Sequence, residues 1–276
     1  MDAILKGIAS NKSNNKYDMY FPEQPNHLLN DTDFDSLRIH SLETFGTHDG
    51  PGIRMVVFVQ GCQFRCLYCQ NPDSIDVHGG SLVSIDELVT KALKQKSYFG
   101  KLGGVTVSGG EPLLQRAKLI TFFDRLHEQG INTCLDSNGR VLDSQTKELL
   151  ERTDLLLLDV KHINEEWHKK LTGLNNTTTL KIAEHRESTG KPMWLRYVLV
   201  PGWSDQEEYL HEWAKHFSGY KTIERVEIIP FHQLGKHKWE LLNVEYALAE
   251  TLSPTTETLE KVKAIFELYL DNVKIK

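Results

Sequence analysis

The sequence predicts an α/β protein, a partial barrel of six parallel strands, (β/α)6, with the helices on the outside. Six short runs rich in Val, Ile, Leu and aromatic residues alternate with segments of helical period, the pattern of buried parallel strands joined by helices. The 276 residues are enough for one such unit and too few for two full domains. Clusters of polar residues follow the apolar runs, as they do at the rim of an α/β barrel.

Each predicted strand is short and apolar. The runs are MVVFVQG from Met55, GVTVSGG from Gly104, INTCLDSNG from Ile131, LLLLDVK from Leu155, MWLRYVLVPG from Met193 and VEIIPF from Val226. A capping box at Ser84 and Glu87 begins one helical segment, and Gly130 and Gly190 end two others. Right-handed crossovers through these helices make the strands parallel.

Composition narrows the class of protein. Hydrophobic residues make up 39% and charged residues 25% of the chain, and the net charge of −6 does not indicate a nucleic-acid-binding surface. No apolar run approaches the roughly 20 residues that cross a membrane, and no secretory signal begins the chain, so we expect a cytoplasmic protein. Residues 1–36 are rich in Asn, Asp, Ser and Lys, which predicts a flexible extension before a single domain over 37–276.

Chemically versatile side chains follow every predicted strand. They are the cysteines after the first strand, Ser108 to Pro112 after the second, Asp136 to Asn138 after the third, Asp159 and Lys161 after the fourth, Pro201 and Gly202 after the fifth, and His232 after the sixth. Each cluster alone is compatible with an ordinary turn or surface residue. Because the loops after parallel strands converge on one face, we expect these clusters to form one site.

Three of the four cysteines, Cys62, Cys66 and Cys69, are spaced C-x3-C-x2-C within one loop. Such clustering indicates a metal site rather than a disulfide framework. A cubane iron–sulfur cluster with only three thiolate ligands keeps one iron open for another ligand. The alternative is a structural zinc site completed by His78 or Cys134.

The cysteine motif, with Tyr68 before its last cysteine, resembles the radical S-adenosylmethionine superfamily. The segment Asp49-Gly50-Pro51-Gly52-Ile53-Arg54, followed by Phe58, Gly61, the cysteines and Asn71, is similar to the signature of glycyl-radical-enzyme activating enzymes. The resemblance extends from about Arg38 to the end of the chain through THDGPGIR, VSGGEPLLQ, CLDSNG, LLLLDVK, LRYVLVPGWSD and LGKHKW. It therefore makes residues 37–276 a radical S-adenosylmethionine catalytic domain.

The resemblance implies roles for individual residues. It implies a 4Fe-4S cluster on Cys62, Cys66 and Cys69, and it places Lys161 with these cysteines among the catalytic residues. It implies an S-adenosylmethionine site formed by Tyr68, Cys69, Gln70, Gly109, Gly110, Asp136, Asp159, Val160, Lys161 and His232. A monovalent cation is expected at Asp136, Ser137, Leu157 and Asp159, and contacts to a substrate peptide at Asp49, Gly50, Gly52 and Arg54. Gln70 departs from the His that is common in similar sequences.

The reaction implied by the resemblance is reductive cleavage of S-adenosylmethionine, after which the 5′-deoxyadenosyl radical removes a hydrogen atom from a glycine of a partner enzyme. The resemblance favours pyruvate formate-lyase as this partner, with another glycyl radical enzyme as the alternative. We expect flavodoxin or ferredoxin as the reductant, because the sequence shows no second redox site, and we expect a monomer. Two alternatives remain: a zinc-stabilised binding module without catalysis, and a radical enzyme for a small molecule.

Overall fold

The computed structural model describes residues 35–276. The predicted extension over residues 1–36 lies outside the described residues apart from its last two, and Ser36 begins the first strand. The strands in the described part are β1 (Ser36–Gly46), β2 (Arg54–Val59), β3 (Ser81–Ser84), β4 (Gly104–Gly109), β5 (Asn132–Ser137), β6 (Leu155–Asp159), β7 (Met193–Leu199), β8 (Ile223–Pro230) and β9 (Val273–Ile275).

These strands form one sheet in the order β3-β1-β2-β4-β5-β6-β7-β8-β9. All pairs from β2 to β9 are parallel, whereas β1 is antiparallel to both β2 and β3. The six predicted strands correspond to β2 and β4 through β8, which confirms the predicted α/β partial barrel. The prediction missed β1, β3 and β9. Most residues of β1 and β3 are exposed or only partly buried, so neither strand carries the apolar run of a central strand.

The helices lie between the parallel strands in chain order. In the described residues they are α1 (Ile85–Phe99), α2 (Arg116–Glu128), α3 (Ser144–Arg152), α4 (Glu165–Thr172), α5 (Thr177–Ser188), α6 (Glu207–Phe217), α7 (Lys236–Leu241) and α8 (Thr256–Glu267). The Ser84 side chain accepts a hydrogen bond from the backbone of Glu87, as the capping box predicts. Over residues 35–276, no helix is both long and apolar enough to span a membrane.

The two faces of the sheet bury different kinds of side chain. Along β4, Val105 and Val107 join the main apolar core, which they share with residues of α1, α2 and α6. Thr106 and Ser108 alternate with them and therefore face the interior of the barrel. The helices thus cover an apolar outer face, while polar side chains of β4 face the interior of the barrel.

Arg186 of α5 joins the chain segments before β6 and β7. Its guanidinium is fully buried and donates to the backbone carbonyls of Leu150 (2.6 Å), Thr153 (2.9 Å) and Pro192 (2.9 Å). Burial lowers the pKa of Arg186 to about 10, which is still far enough above neutral pH to keep the guanidinium charged. This side chain therefore satisfies several carbonyls that would otherwise be buried without partners.

We expect Arg186→Met, which keeps the volume and removes the donors, to lower the free energy of unfolding by about 2–4 kcal/mol. Arg152→Met is the control, because Arg152 is partly exposed and bonds Asp124 and Glu148 at the surface. That change should cost about 1 kcal/mol or less. Urea unfolding of both variants tests the prediction, and equal losses in the two would contradict it.

Candidate functional site

The cysteine loop leaves β2 and is held by backbone hydrogen bonds. Cys62 N–H donates to the carbonyl of Ile75 (3.1 Å), and Leu67 N–H donates to that of Leu171 (2.9 Å). The side chain of Arg65 donates to the Cys62 carbonyl at 2.8 Å. The loop is therefore anchored both to the turn that follows it and to the end of α4.

The three thiols of this loop are free and half-buried. Burial raises the pKa of each thiol, Cys62, Cys66 and Cys69, to about 12. Each thiol is therefore protonated at neutral pH, and a metal group that took all three as thiolates would displace three protons. Asn138, at the end of β5, places its Nδ2 at 3.7 Å from Cys62 Sγ.

The loop opens onto a cavity of about 290 Å³ at the carboxyl ends of the parallel strands. Most of the predicted site residues line it: Asp49, Cys62, Cys66, Tyr68, Cys69, Gln70, Gly109, Gly110, Asp136, Ser137, Asp159, Lys161 and His232. Five predicted residues do not line it: Gly50, Gly52, Arg54, Leu157 and Val160. The structure therefore brings together the clusters after the first, second, third, fourth and sixth predicted strands, whereas Pro201 and Gly202 after the fifth do not line the cavity.

Lys161 and Asp159 form a buried ion pair beside the cysteines. Lys161 Nζ lies 2.7 Å from Asp159 Oδ2 and 5.6 Å from the centroid of the Tyr68 ring. Burial disfavours the charged amine, but the carboxylate of Asp159 outweighs it and raises the pKa of Lys161. The pocket thus presents a permanent positive charge close to the cysteine loop.

A second ion pair crosses the barrel interior. Arg196 Nη1 lies 2.7 Å from Asp136 Oδ2, which also accepts from the hydroxyl of Ser108 at 2.7 Å. Burial raises the pKa of Asp136, but Arg196 and the hydroxyl of Ser108 outweigh it, so the pKa is held below its usual range. The second oxygen, Asp136 Oδ1, is buried without a partner. This oxygen is an acceptor available to a ligand.

Arg196 is a pocket residue that the sequence interpretation did not single out. It is a charged residue in the otherwise apolar strand MWLRYVLV, and that interruption was the available signal. Its Nε lies 3.4 Å from Glu227 Oε2 on β8, which links β5, β7 and β8 through charges.

Glu111 belongs to the predicted cluster Ser108 to Pro112, but the sequence analysis gave it no role of its own. Its buried carboxylate accepts from the backbone of Leu113 (2.9 Å), the hydroxyl of Ser137 (2.7 Å) and the backbone of Asn138 (2.8 Å). Burial raises its pKa to about 7. Because Asn138 is the residue that approaches Cys62, Glu111 positions the end of β5 relative to the cysteine loop.

The glycines after β4 are required by neighbouring backbone. A Cβ on Gly109, whose φ is +103°, would lie 2.6 Å from the nitrogen of Val59. A Cβ on Gly110 would lie 2.1 Å from the carbonyl oxygen of Gly61. Both glycines line the cavity, and neighbouring backbone excludes a side chain at each of them, that of β2 at Gly109 and that of Gly61 at Gly110.

Val160 and Leu157 pack their side chains away from the cavity. Val160 is buried in the outer core, where its N–H donates to the carbonyl of Arg196 and its carbonyl accepts from Trp213 Nε1. Leu157 packs with Cys134 and Trp194 in a small apolar cluster of the barrel interior. Any contact from either residue would have to use its backbone.

Asp49 enters the cavity from the segment between β1 and β2. Its carbonyl accepts from Thr106 Oγ1 at 2.6 Å, and the preceding carbonyl of His48 accepts from Arg196 Nη2 at 3.4 Å. Burial and the nearby Asp136 raise the pKa of the Asp49 carboxyl. The barrel interior therefore fixes the backbone of Asp49, and its carboxyl reaches the cavity.

The remainder of this segment also supports the fold: Arg54 is buried, whereas Gly52 is exposed, and the contact of both with a substrate stays a prediction. Arg54 is fully buried, and its guanidinium donates to Thr106 Oγ1 (2.6 Å), Pro51 O (3.2 Å), Leu102 O (3.1 Å), Val105 O (3.0 Å) and Asn132 Oδ1 (2.9 Å). A Cβ on Gly52, at φ +74°, would lie 2.6 Å from the nitrogen of Gly103. A Cβ on Gly50 would press on the Arg54 side chain at 3.1 Å.

The zinc alternative needs donors that converge on one ion. Within residues 35–276, no group of three or more His, Cys, Asp or Glu side chains is placed to hold a single metal ion. Cys134, one of its candidate ligands, is fully buried in the apolar cluster with Leu157. The zinc site therefore gains no support from the described residues.

Comparison with known proteins identifies the family. The model of the radical SAM superfamily matches residues 56–214. Pyruvate formate-lyase 1-activating enzyme of Escherichia coli (strain K12) is 44% identical over 235 residues, which cover 84% of this chain and 96% of that protein. Pyruvate formate-lyase-activating enzyme of Staphylococcus aureus is 43% identical over 230 residues, which cover 80% of this chain and 92% of that protein.

The fold agrees with a solved structure as well. A domain of pyruvate-formate lyase-activating enzyme from Bacteroides vulgatus matches with a TM-score of 0.54 at 24% identity, covering 63% of this chain and 99% of that chain. At this identity the likeness bears on the fold alone. From the family model and the relatives in E. coli and S. aureus, the chain belongs to the radical SAM superfamily and, within it, to the pyruvate formate-lyase activating enzymes.

Proposed function

We propose that this chain activates pyruvate formate-lyase by generating a glycyl radical on it. The observation that carries the proposal is geometric: three thiols of one loop, the Lys161–Asp159 pair and the Asp49 carboxyl all line one cavity. The identity of 43–44% to named pyruvate formate-lyase activating enzymes over most of the chain supports the same partner.

Membership of the superfamily implies a 4Fe-4S cluster and S-adenosylmethionine. We infer that Cys62, Cys66 and Cys69 hold the cluster, because they are the thiols that open onto the cavity. The cavity also contains buried polar atoms without partners, Asp136 Oδ1 and the hydroxyl of Tyr68, which fit a ligand rich in hydroxyl and amino groups.

When bound, the cluster would supply the electron that cleaves S-adenosylmethionine. The cleaved cofactor would supply the 5′-deoxyadenosyl radical that takes a hydrogen atom from the glycine. Lys161 offers its ammonium to the carboxylate of the cofactor and keeps its charge through Asp159. Asp136 Oδ1 accepts from a hydroxyl, while its other oxygen stays fixed by Arg196. Tyr68, Gln70, Gly109, Gly110 and His232 complete the wall of the cavity.

For the substrate, we propose that Asp49 contacts the glycine-bearing peptide and that Gly50, Gly52 and Arg54 hold Asp49 in place. The carboxyl of Asp49 lies in the cavity, whereas the donors of Arg54 are used within the fold. Substrate contact through this segment therefore depends on one side chain that the others position.

The finer partners are proposals too. Flavodoxin or ferredoxin would reduce the cluster, and the enzyme would act as a monomer in the cytoplasm. A monovalent cation at Asp136, Ser137, Leu157 and Asp159 would have to share its carboxylates with Arg196 and Lys161, which pair with them in this structure. The division of the chain into residues 1–36 and a catalytic domain over residues 37–276 stays a proposal, although Ser36 already belongs to β1.

Mixing the reduced protein with S-adenosylmethionine and pyruvate formate-lyase should produce a glycyl radical visible by electron paramagnetic resonance. Cys66→Ala should abolish the signal and lower the iron content, because a cluster ligand is lost. Cys134→Ala is the control and should keep both, since Cys134 packs in an apolar cluster. Cofactor cleavage without a radical on pyruvate formate-lyase, but with one on another glycyl radical enzyme, would reassign the partner.

Asp49→Asn should separate cofactor chemistry from substrate activation. We expect cleavage of S-adenosylmethionine to stay within about twofold, and the rate of radical formation on the partner to fall about 100-fold through misplacement of the glycine. Glu43→Gln, an exposed carboxylate on β1, should change neither rate. Equal losses of cleavage and activation in Asp49→Asn would rule out a substrate-specific role for Asp49.

A further inference from the structure

The cysteine loop is fastened to the segment 232–241 that follows β8. The side-chain amide of Gln70 makes two of the contacts: its Nε2 donates to the carbonyl of His232 at 2.9 Å, and its Oε1 accepts from the N–H of Gly235 at 2.7 Å. The side chain of Gln70, the residue after Cys69, therefore bonds a turn that lies 162 to 165 residues further along the chain.

The amide of Gln70 has no donor left for a ligand. Besides the bond to His232, Nε2 donates to the carbonyl of Tyr68 at 3.1 Å. An amide nitrogen carries two hydrogens, and both are used within the fold. A direct contact from this nitrogen to the cofactor would have to break one of these bonds.

Two further side chains join the same two segments. Trp239 of α7 is fully buried, and its Nε1 donates to the carbonyl of Cys69 at 2.9 Å. Lys238 Nζ donates to Asn71 Oδ1 at 2.8 Å and to Asp73 Oδ1 at 3.2 Å. The contact is therefore spread over residues 69–73 on one side and 232–239 on the other.

The backbones approach closely at Gly235. A Cβ on this residue would lie 2.8 Å from both the Cα and the carbonyl oxygen of Gln70. Its φ of −81° is ordinary for any residue, so the lack of space, and not the backbone conformation, requires glycine here. The turn thus fits against Gln70 in one arrangement.

We propose that Gln70 is a positioning residue that holds segment 232–241 against the cysteine loop, and that it touches neither the cofactor nor the substrate. His232 lines the cavity, so fixing its carbonyl fixes the position of its backbone relative to the cysteines. The position needs a donor and an acceptor on one carbon, which an amide provides. A carboxylate at this position would lack the donor.

The first test uses the full chain without its cluster. In Gln70→Leu, which keeps the approximate volume and loses both bonds, the backbone N–H of Gly235 should exchange with solvent about tenfold faster or more, because its acceptor is gone. Gln115→Leu is the control: that buried amide joins Arg38 and Gln60 and lies outside segment 232–241. Unchanged exchange at Gly235 in Gln70→Leu would overturn the proposal.

The second test uses the cluster-loaded protein and rests on the proposed function. Gln70→Leu should keep the iron content and weaken S-adenosylmethionine about tenfold by titration, as segment 232–241 loosens. Trp239→Phe, which removes the donor to Cys69, should act in the same direction and serves if Gln70→Leu does not fold. If Gly235 exchanges normally in Gln70→Leu but the affinity for S-adenosylmethionine is lost, Gln70 contacts the cofactor directly. If only activation of the partner enzyme is lost, Gln70 contacts the substrate. Either result overturns the proposal. Exchange in the cluster-free chain stays interpretable if the proposed function is wrong.

Discussion

The ion pairs inside the barrel constrain the rest of the site. Asp136 and Arg196 face each other from β5 and β7, and Glu227 of β8 adds a second carboxylate to Arg196. Removing one member of a buried pair leaves an uncompensated charge, which costs about 3–5 kcal/mol. These strands are therefore tied together by charge on the inner face and by apolar packing on the outer face. The network also leaves Asp136 Oδ1 as a fixed acceptor in the cavity.

The cysteine loop is positioned on this rigid interior from three directions. Backbone hydrogen bonds join it to the end of α4. Asn138, whose N–H donates to Glu111, approaches it from the end of β5. Segment 232–241 holds it through Gln70 and Trp239. Catalytic groups that must meet a cofactor within a fraction of an ångström need such support. Because the supporting contacts come from distant parts of the chain, the loop gains a defined shape although it has almost no regular structure of its own.

The sequence predicts the six central strands because each is a continuous apolar run, and it predicts the cavity residues because polar clusters end those runs. It does not predict β1 or β3, most of whose residues are exposed or only partly buried. It also gives no sign that Arg54 is fully buried. Arg196 was visible only as one charge in an apolar strand. The bond from Gln70 to Gly235 spans 165 residues, so no local pattern encodes it. The residues of the site were therefore easier to predict than the contacts that hold them.

The central claim is that three cysteines hold a cluster with one iron open to S-adenosylmethionine beside Lys161. Electron paramagnetic resonance of the anaerobically prepared, chemically reduced protein, recorded before and after addition of S-adenosylmethionine, tests it most directly. The account predicts a reduced-cluster signal that changes when the cofactor is added, because the cofactor binds the open iron. A reduced-cluster signal that stays the same with the cofactor, or a silent protein that contains zinc and no iron, would contradict it.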